Sequence, residues 1–104
     1  MPSDKEYLSF VLEQLSLLEN ISYRAMMGEY IIYYENKIVG GIYDNRFLVK
    51  ITKSSTEMLP EAIREIPYEK AKEMLLVDRI DDREFLADLF NAMYDELPDR
   101  KKRN

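Results

Sequence analysis

The chain has 104 residues, 46% of them apolar and 34% charged, with a formal net charge of −5, enough for one domain with its own core. With no cysteine and no histidine, disulfides, zinc–thiolate sites, thiol nucleophiles, imidazole metal sites and Ser-His-Asp triads are excluded. The acidic balance argues against a nucleic-acid surface, the apolar runs are too short to cross a bilayer, and no signal-like stretch follows "MPSDKEY", so a cytoplasmic protein is expected.

"SDKE" at Ser3–Glu6 has the spacing of a capping box, with the Ser3 hydroxyl at one end and the Glu6 carboxylate reaching back. Tyr7, Leu8, Val11, Leu12, Leu15 and Leu18 then form one helical stripe. Phe10 and Leu17 widen its apolar arc to about 220° at about 100° per residue. One sheet contact does not need so wide an arc, so either the core takes all of it or a second subunit covers the rest. The helix is expected to end near Asn20, a residue that tolerates left-handed backbone. "SYRAMM" alternates weakly as a strand that Gly28 ends. "YIIYY" (Tyr30–Tyr34) is rich in strand formers, "ENK" is a turn, and "KIVGGIY" (Lys37–Tyr43) is a further strand. Asp44–Asn45 is a two-residue hairpin signal. In "RFLVKI" (Arg46–Ile51), Phe47, Val49 and Ile51 face one way and Arg46, Leu48 and Lys50 the other. Such close spacings allow only antiparallel neighbours.

"SSTE" (Ser54–Glu57) offers a second capping box, and Pro60 interrupts a short helix expected to reach about Arg64. "IPYEKAK" reads as a loop and "EMLLV" (Glu73–Val77) as a last strand. "DDRE" (Asp81–Glu84) places acids where a helix dipole favours them. Phe85, Leu86, Leu89, Phe90, Met93, Tyr94 and Leu97 recur at helical spacing until Pro98. Charge is uneven: residues 78–99 carry eight acids and two bases, and "RKKR" (Arg100–Arg103) follows. That tail, within residues 98–104, reads as a solvated terminus, with contact to an anionic partner as the alternative.

Few residues suggest chemistry. Gly40 and Gly41, inside a strand, mark a bulge or a close backbone approach, by packing or by a ligand. No Gly-rich phosphate motif accompanies them. Met26 and Met27 are soft fillers for a core or an adaptable interface. Tyr30, Tyr33, Tyr34, Tyr43 and Tyr68 would stack bases only if they formed one platform with basic flanks. Asp78, Asp81 and Asp82 suit a helix start better than a hard cation. Lys50 is an exposed strand lysine or, if buried, an amine of lowered pKa.

The segment "RAMMGEYIIYYENKIVGGIYDNRFLVKI", between an initial and a terminal helix, resembles the N-terminal domain of the TfoX/Sxy family. Arg24, Met27, Gly28, Tyr30, the Tyr34–Lys37 turn, "RFLVK" with Lys50, and "PYE" at Pro67–Glu69 stand at the family's pattern positions. Met27 replaces the usual aromatic, and Gly28-Glu29-Tyr30 replaces Gly-Gly-Tyr. The likeness runs over about residues 5–97, within a single domain spanning 1–104. It implies an α+β sandwich and a link to regulation of natural competence, where longer members act with a transcription activator.

The expected fold is therefore α+β, an antiparallel sheet of four to five strands with the N-terminal and C-terminal helices packed on one face. The expected function is a non-enzymatic regulatory or protein-interaction module with no cofactor. The expected partners are an unidentified protein and a second copy of the chain, meeting at Phe10 and Leu17, with no membrane and no direct nucleic-acid contact. The alternatives are a small-molecule-binding domain or enzyme using Lys50 or carboxylates, and nucleic-acid contact through the basic tail.

Overall fold

A computed structural model describes residues 3–98, so the Arg100–Arg103 tail lies outside the described residues. Helix α1 (Lys5–Gln14) leads into a meander of β1 (Ile21–Met26), β2 (Glu29–Tyr34), β3 (Lys37–Tyr43) and β4 (Arg46–Lys50). Then come α2 (Lys53–Met58), β5 (Arg64–Glu65), β6 (Met74–Leu76) and α3 (Arg83–Tyr94). The strands form one six-stranded sheet in the order β1-β2-β3-β4-β6-β5, and every neighbouring pair is antiparallel.

The meander is held in register by its turns. Met27–Gly28, Glu35–Asn36 and Asp44–Asn45 all have positive φ, as two-residue hairpin turns matching the right-handed strand twist require. Gly28, Asn36, Asp44 and Asn45 tolerate that backbone well, whereas Met27 and Glu35 adopt it at a steric cost. Alternation then assigns the faces. Tyr30, Ile32, Tyr34, Phe47, Val49 and Leu75 join the core beneath the helices, with Leu8, Val11 and Leu15 from α1 and Leu86, Leu89, Phe90 and Met93 from α3. The expected placement of both terminal helices on one face is found. Val39 and Ile42 enter the same core although they are three residues apart, which a period of two forbids. The pairing shift between Ile32 and Tyr33 supplies the extra residue.

Polar contacts fix how the helices sit. The Tyr34 hydroxyl donates to Asn91 Oδ1 at 2.7 Å. Lys37 Nζ donates to the Tyr94 carbonyl at 3.0 Å, at the end of α3 where the helix dipole favours a cation. Asp82 caps α3, accepting from the Phe85 N–H at 3.0 Å. Glu96, just past α3, accepts from the backbone N–H and hydroxyl of Ser54 at 2.9 and 2.6 Å, which ties the start of α2 to the end of α3.

The structure corrects several local expectations. Ser3 makes no cap on α1, whose N-cap is Asp4 with no side-chain cap bond. Its hydroxyl donates to Glu29 Oε1 at 2.7 Å and accepts from the Asn45 N–H at 3.0 Å, because two hairpin turns lie closer than the helix's own first turn. The second capping box is Thr52 with Ser55, two residues upstream of the expected one. The α1 helix stops at Gln14, and a series of turns carries the chain to Asn20, which is left-handed at φ 64° as expected. The strands number six among the described residues, not four to five. The short helix ends at Met58 and Arg64–Glu65 pairs with β6. Ile51 falls beyond β4 and is exposed, outside the Phe47–Val49 core face.

Candidate functional site

The sheet face away from the helices is also apolar. Tyr43, Leu48 and Met74 form a second small core there, with Leu76 at its margin. The cover is the loop joining β5 to β6. Its Tyr68 ring packs against Tyr43 at 6.1 Å between centroids. Between loop and sheet lies a groove of about 760 Å³ whose lining includes Ile31, Gly40, Tyr43, Lys50, Tyr68 and Lys72.

Glycine shapes the floor of this groove. A Cβ on Gly41 would lie 2.7 Å from the Tyr43 ring, so the ring rests back over the bare strand. A Cβ on Gly40 would lie 2.0 Å from the Leu48 carbonyl oxygen, so here the pair of strands approaches too closely for any side chain. The glycine pair is thus required by packing, and Gly40 also lines the groove.

Lys50 stands half-buried in this groove rather than exposed. Burial lowers its ammonium pKa, and the like charge of Lys72 lowers it further. Tyr43 moves the opposite way: burial, with smaller contributions from Tyr68, Glu29 and Tyr33, pushes its phenol up to about 12. Glu73 also lines the groove, but Arg64 stands 3.7 Å from its carboxylate. The groove is an apolar slot with two cations at its side.

A different surface lies at the sheet edge. Among the described residues strand β1 pairs with β2 alone, and every residue of it but Ile21 is exposed. Tyr23 and Met26 are exposed there, and Met27 in the following turn is 96% exposed. The two methionines are therefore not core fillers. Beside the edge, Leu12 and Leu18 from α1 and its following turn line a shallow cleft with Ile21 and Tyr23. On α1 itself Phe10 is 37% exposed, and Leu17, expected on the same helix, falls in the turns beyond it and is 57% exposed.

The positions matched by the TfoX/Sxy resemblance do not converge. Met27 and Gly28 make a turn, Tyr30 is buried under the helices, Arg24 is exposed on the edge strand, and Lys50 lies in the groove. The tyrosines divide as well: Tyr30 and Tyr34 enter the helix-side core, whereas Tyr43 lies on the opposite face with Tyr68 against it. They form no stacking platform. Asp82 caps α3 and pairs with Arg79 at 2.7 Å. Among the described residues no group of three or more acids stands together as a metal site, and no helix is long and apolar enough to cross a membrane. Sequence reasoning singled out Lys50 but missed Lys72, because only the folded loop brings the two charges together.

A protein of Spirochaeta aurantia, the "Uncharacterized 12.7 kDa protein in trpE 5'region", is 31% identical over 104 residues, covering 99% of this chain and 90% of that protein. The chain belongs to the family of that protein. No family model matches the chain and no solved structure does.

Proposed function

We propose that the chain is a non-enzymatic interaction module, a TfoX/Sxy N-terminal-like domain that docks a protein partner through its β1 edge and the outer side of α1. The carrying observation is the edge itself. A six-residue strand exposed on both faces presents unpaired N–H and C=O groups, the template on which another chain adds a strand. The opposite edge is closed to this use, because β5 has only two residues and its Glu65 is engaged in an ion pair with Arg46. Tyr23 and Met26 on β1, Phe10 on α1 and Leu17 just past it add apolar area that water covers in the isolated chain.

The partner that fits is a second copy. A two-fold contact uses each exposed apolar residue twice, and burial of such a side chain is worth about 1.5–3 kcal/mol. The link to competence regulation rests on the resemblance alone. Sedimentation equilibrium at about 50 µM, a concentration at which a micromolar dimer is populated, tests the reading. The expected result is a dimer for the wild type and monomers for Phe10→Asp/Leu17→Asp and for Tyr23→Lys/Met26→Lys, all with unchanged circular dichroism. A monomeric wild type, or variants that unfold rather than dissociate, overturns it.

A further inference from the structure

We propose that the groove between the sheet and the 66–73 loop binds a small organic anion, a carboxylate carried on an aromatic body. The site meets the edge strand at Met26, in one wall of the groove, but does not depend on the dimer reading.

Three observations lead there. The first is charge. Lys50 is held half-buried beside Lys72, and the electrostatic influence upon it is repulsive. A cation partly removed from water and facing a like charge is costly unless an anion compensates it. The nearest acid in the lining, Glu73, is opposite Arg64.

The second is shape. The Tyr43 ring rests over Gly41, and Tyr68 from the loop packs against that ring at 6.1 Å with a tilt of 49°. Ile31, Met26 and Met74 complete apolar walls. An aromatic body fits against these rings and apolar side chains, and its burial supplies affinity that a bare ion lacks. The third is the kind of donor. Among the described residues the lining contains lysines and no arginine, and a lysine is a point charge and not a bidentate fork for phosphate. Two ammonium groups at the side of an apolar slot suit a single carboxylate.

The test is titration of the full chain with 1-naphthoate, with the neutral 1-naphthalenemethanol, and with acetate, followed by calorimetry and backbone amide NMR. Naphthoate is expected to bind saturably and at least about tenfold more tightly than the alcohol, with acetate weaker than both. Shifts are expected at Gly40, Lys50, Tyr68 and Lys72. Lys50→Met is expected to cost about tenfold in affinity and Lys72→Met several-fold. Lys72 lies on the exposed loop, so Lys72→Glu keeps the test open should Lys50→Met fail to fold. Equal binding of acid and alcohol, affinity unchanged in both lysine variants, shifts confined to other surfaces, or no naphthoate binding up to about 10 mM overturns the proposal. A dimer that persists alongside any of these leaves the edge-strand reading standing.

Discussion

The two faces of this sheet are built from the same strands, yet they end in different states. Alternation sends Phe47 and Val49 to one face and Leu48 and Lys50 to the other. Helices α1 and α3 close the first face, and many of its residues have no exposed surface at all. A single irregular loop covers the second, where Tyr68 remains 57% exposed and a groove stays open. Helices bring long apolar stripes that fill space densely. A loop brings only scattered side chains, so the face beneath it keeps room for water and tolerates a lysine. The difference teaches that apolar pattern selects which residues leave the surface, while the covering element decides how dry the result is.

The sharpest contrast comes from truncating one ring on each side. Phe90 is fully buried between Tyr34 and Phe47, so Phe90→Ala is expected to cost about 3–5 kcal/mol in urea unfolding. Between the faces, Gly40→Ala drives a methyl against the backbone of β4. Backbone cannot rotate away as a side chain can, so a loss of about 1–3 kcal/mol is expected. On the open face, Tyr68→Ala removes a ring that touches Tyr43 from an exposed loop. A loss of about 0.5–1.5 kcal/mol is expected, with the naphthoate site weakened. A Tyr68→Ala cost equal to that of Phe90→Ala would collapse the comparison.

The smallest effect separates the faces by pH. On the helix side, the bonds from the Phe85 N–H and Arg79 hold Asp82 below its ordinary 3.8, and those from Ser54 hold Glu96 below its ordinary 4.5. Their contribution to stability is present above the ordinary carboxylate range and is lost as pH falls through the depressed folded values. On the open face, Lys50 is depressed below its ordinary 10.5. The unfolded chain then binds the extra proton between the folded value and 10.5, so stability is expected to rise with pH through that interval. Thermal melts of the wild type against Asp82→Asn and Lys50→Met check both signs. Asp82→Asn is expected to flatten the acid limb, and Lys50→Met to remove the alkaline rise and raise the melting temperature at neutral pH.

Much of this fold was legible in the sequence because its signals are local. Arg46–Lys50 alternates with a period of two, Asp44–Asn45 accepts positive φ, and Phe85 to Met93 repeats at helical spacing above an Asp82 cap. Each of these is decided by neighbours within a few residues, so the chain alone determined the meander, its turns and the terminal helix. The exposure of Phe10 was likewise visible as an arc too wide for one contact, whereas Leu17, expected on the same helix, lies in the turns beyond α1. Other features arose only from contacts distant along the chain. Arg64–Glu65 is a strand because β6 offers it an edge, not because two residues can specify one. Ser3 serves two hairpin turns instead of its own helix because those turns fold against it. Lys50 has the same place in the β4 pattern whether water or a loop lies above it. The 66–73 segment, which carries no periodic signal, settles that by folding back over the sheet and placing Lys72 beside it. Local backbone preference and apolar period are properties of a short stretch, whereas burial and charge proximity depend on what the rest of the chain brings near.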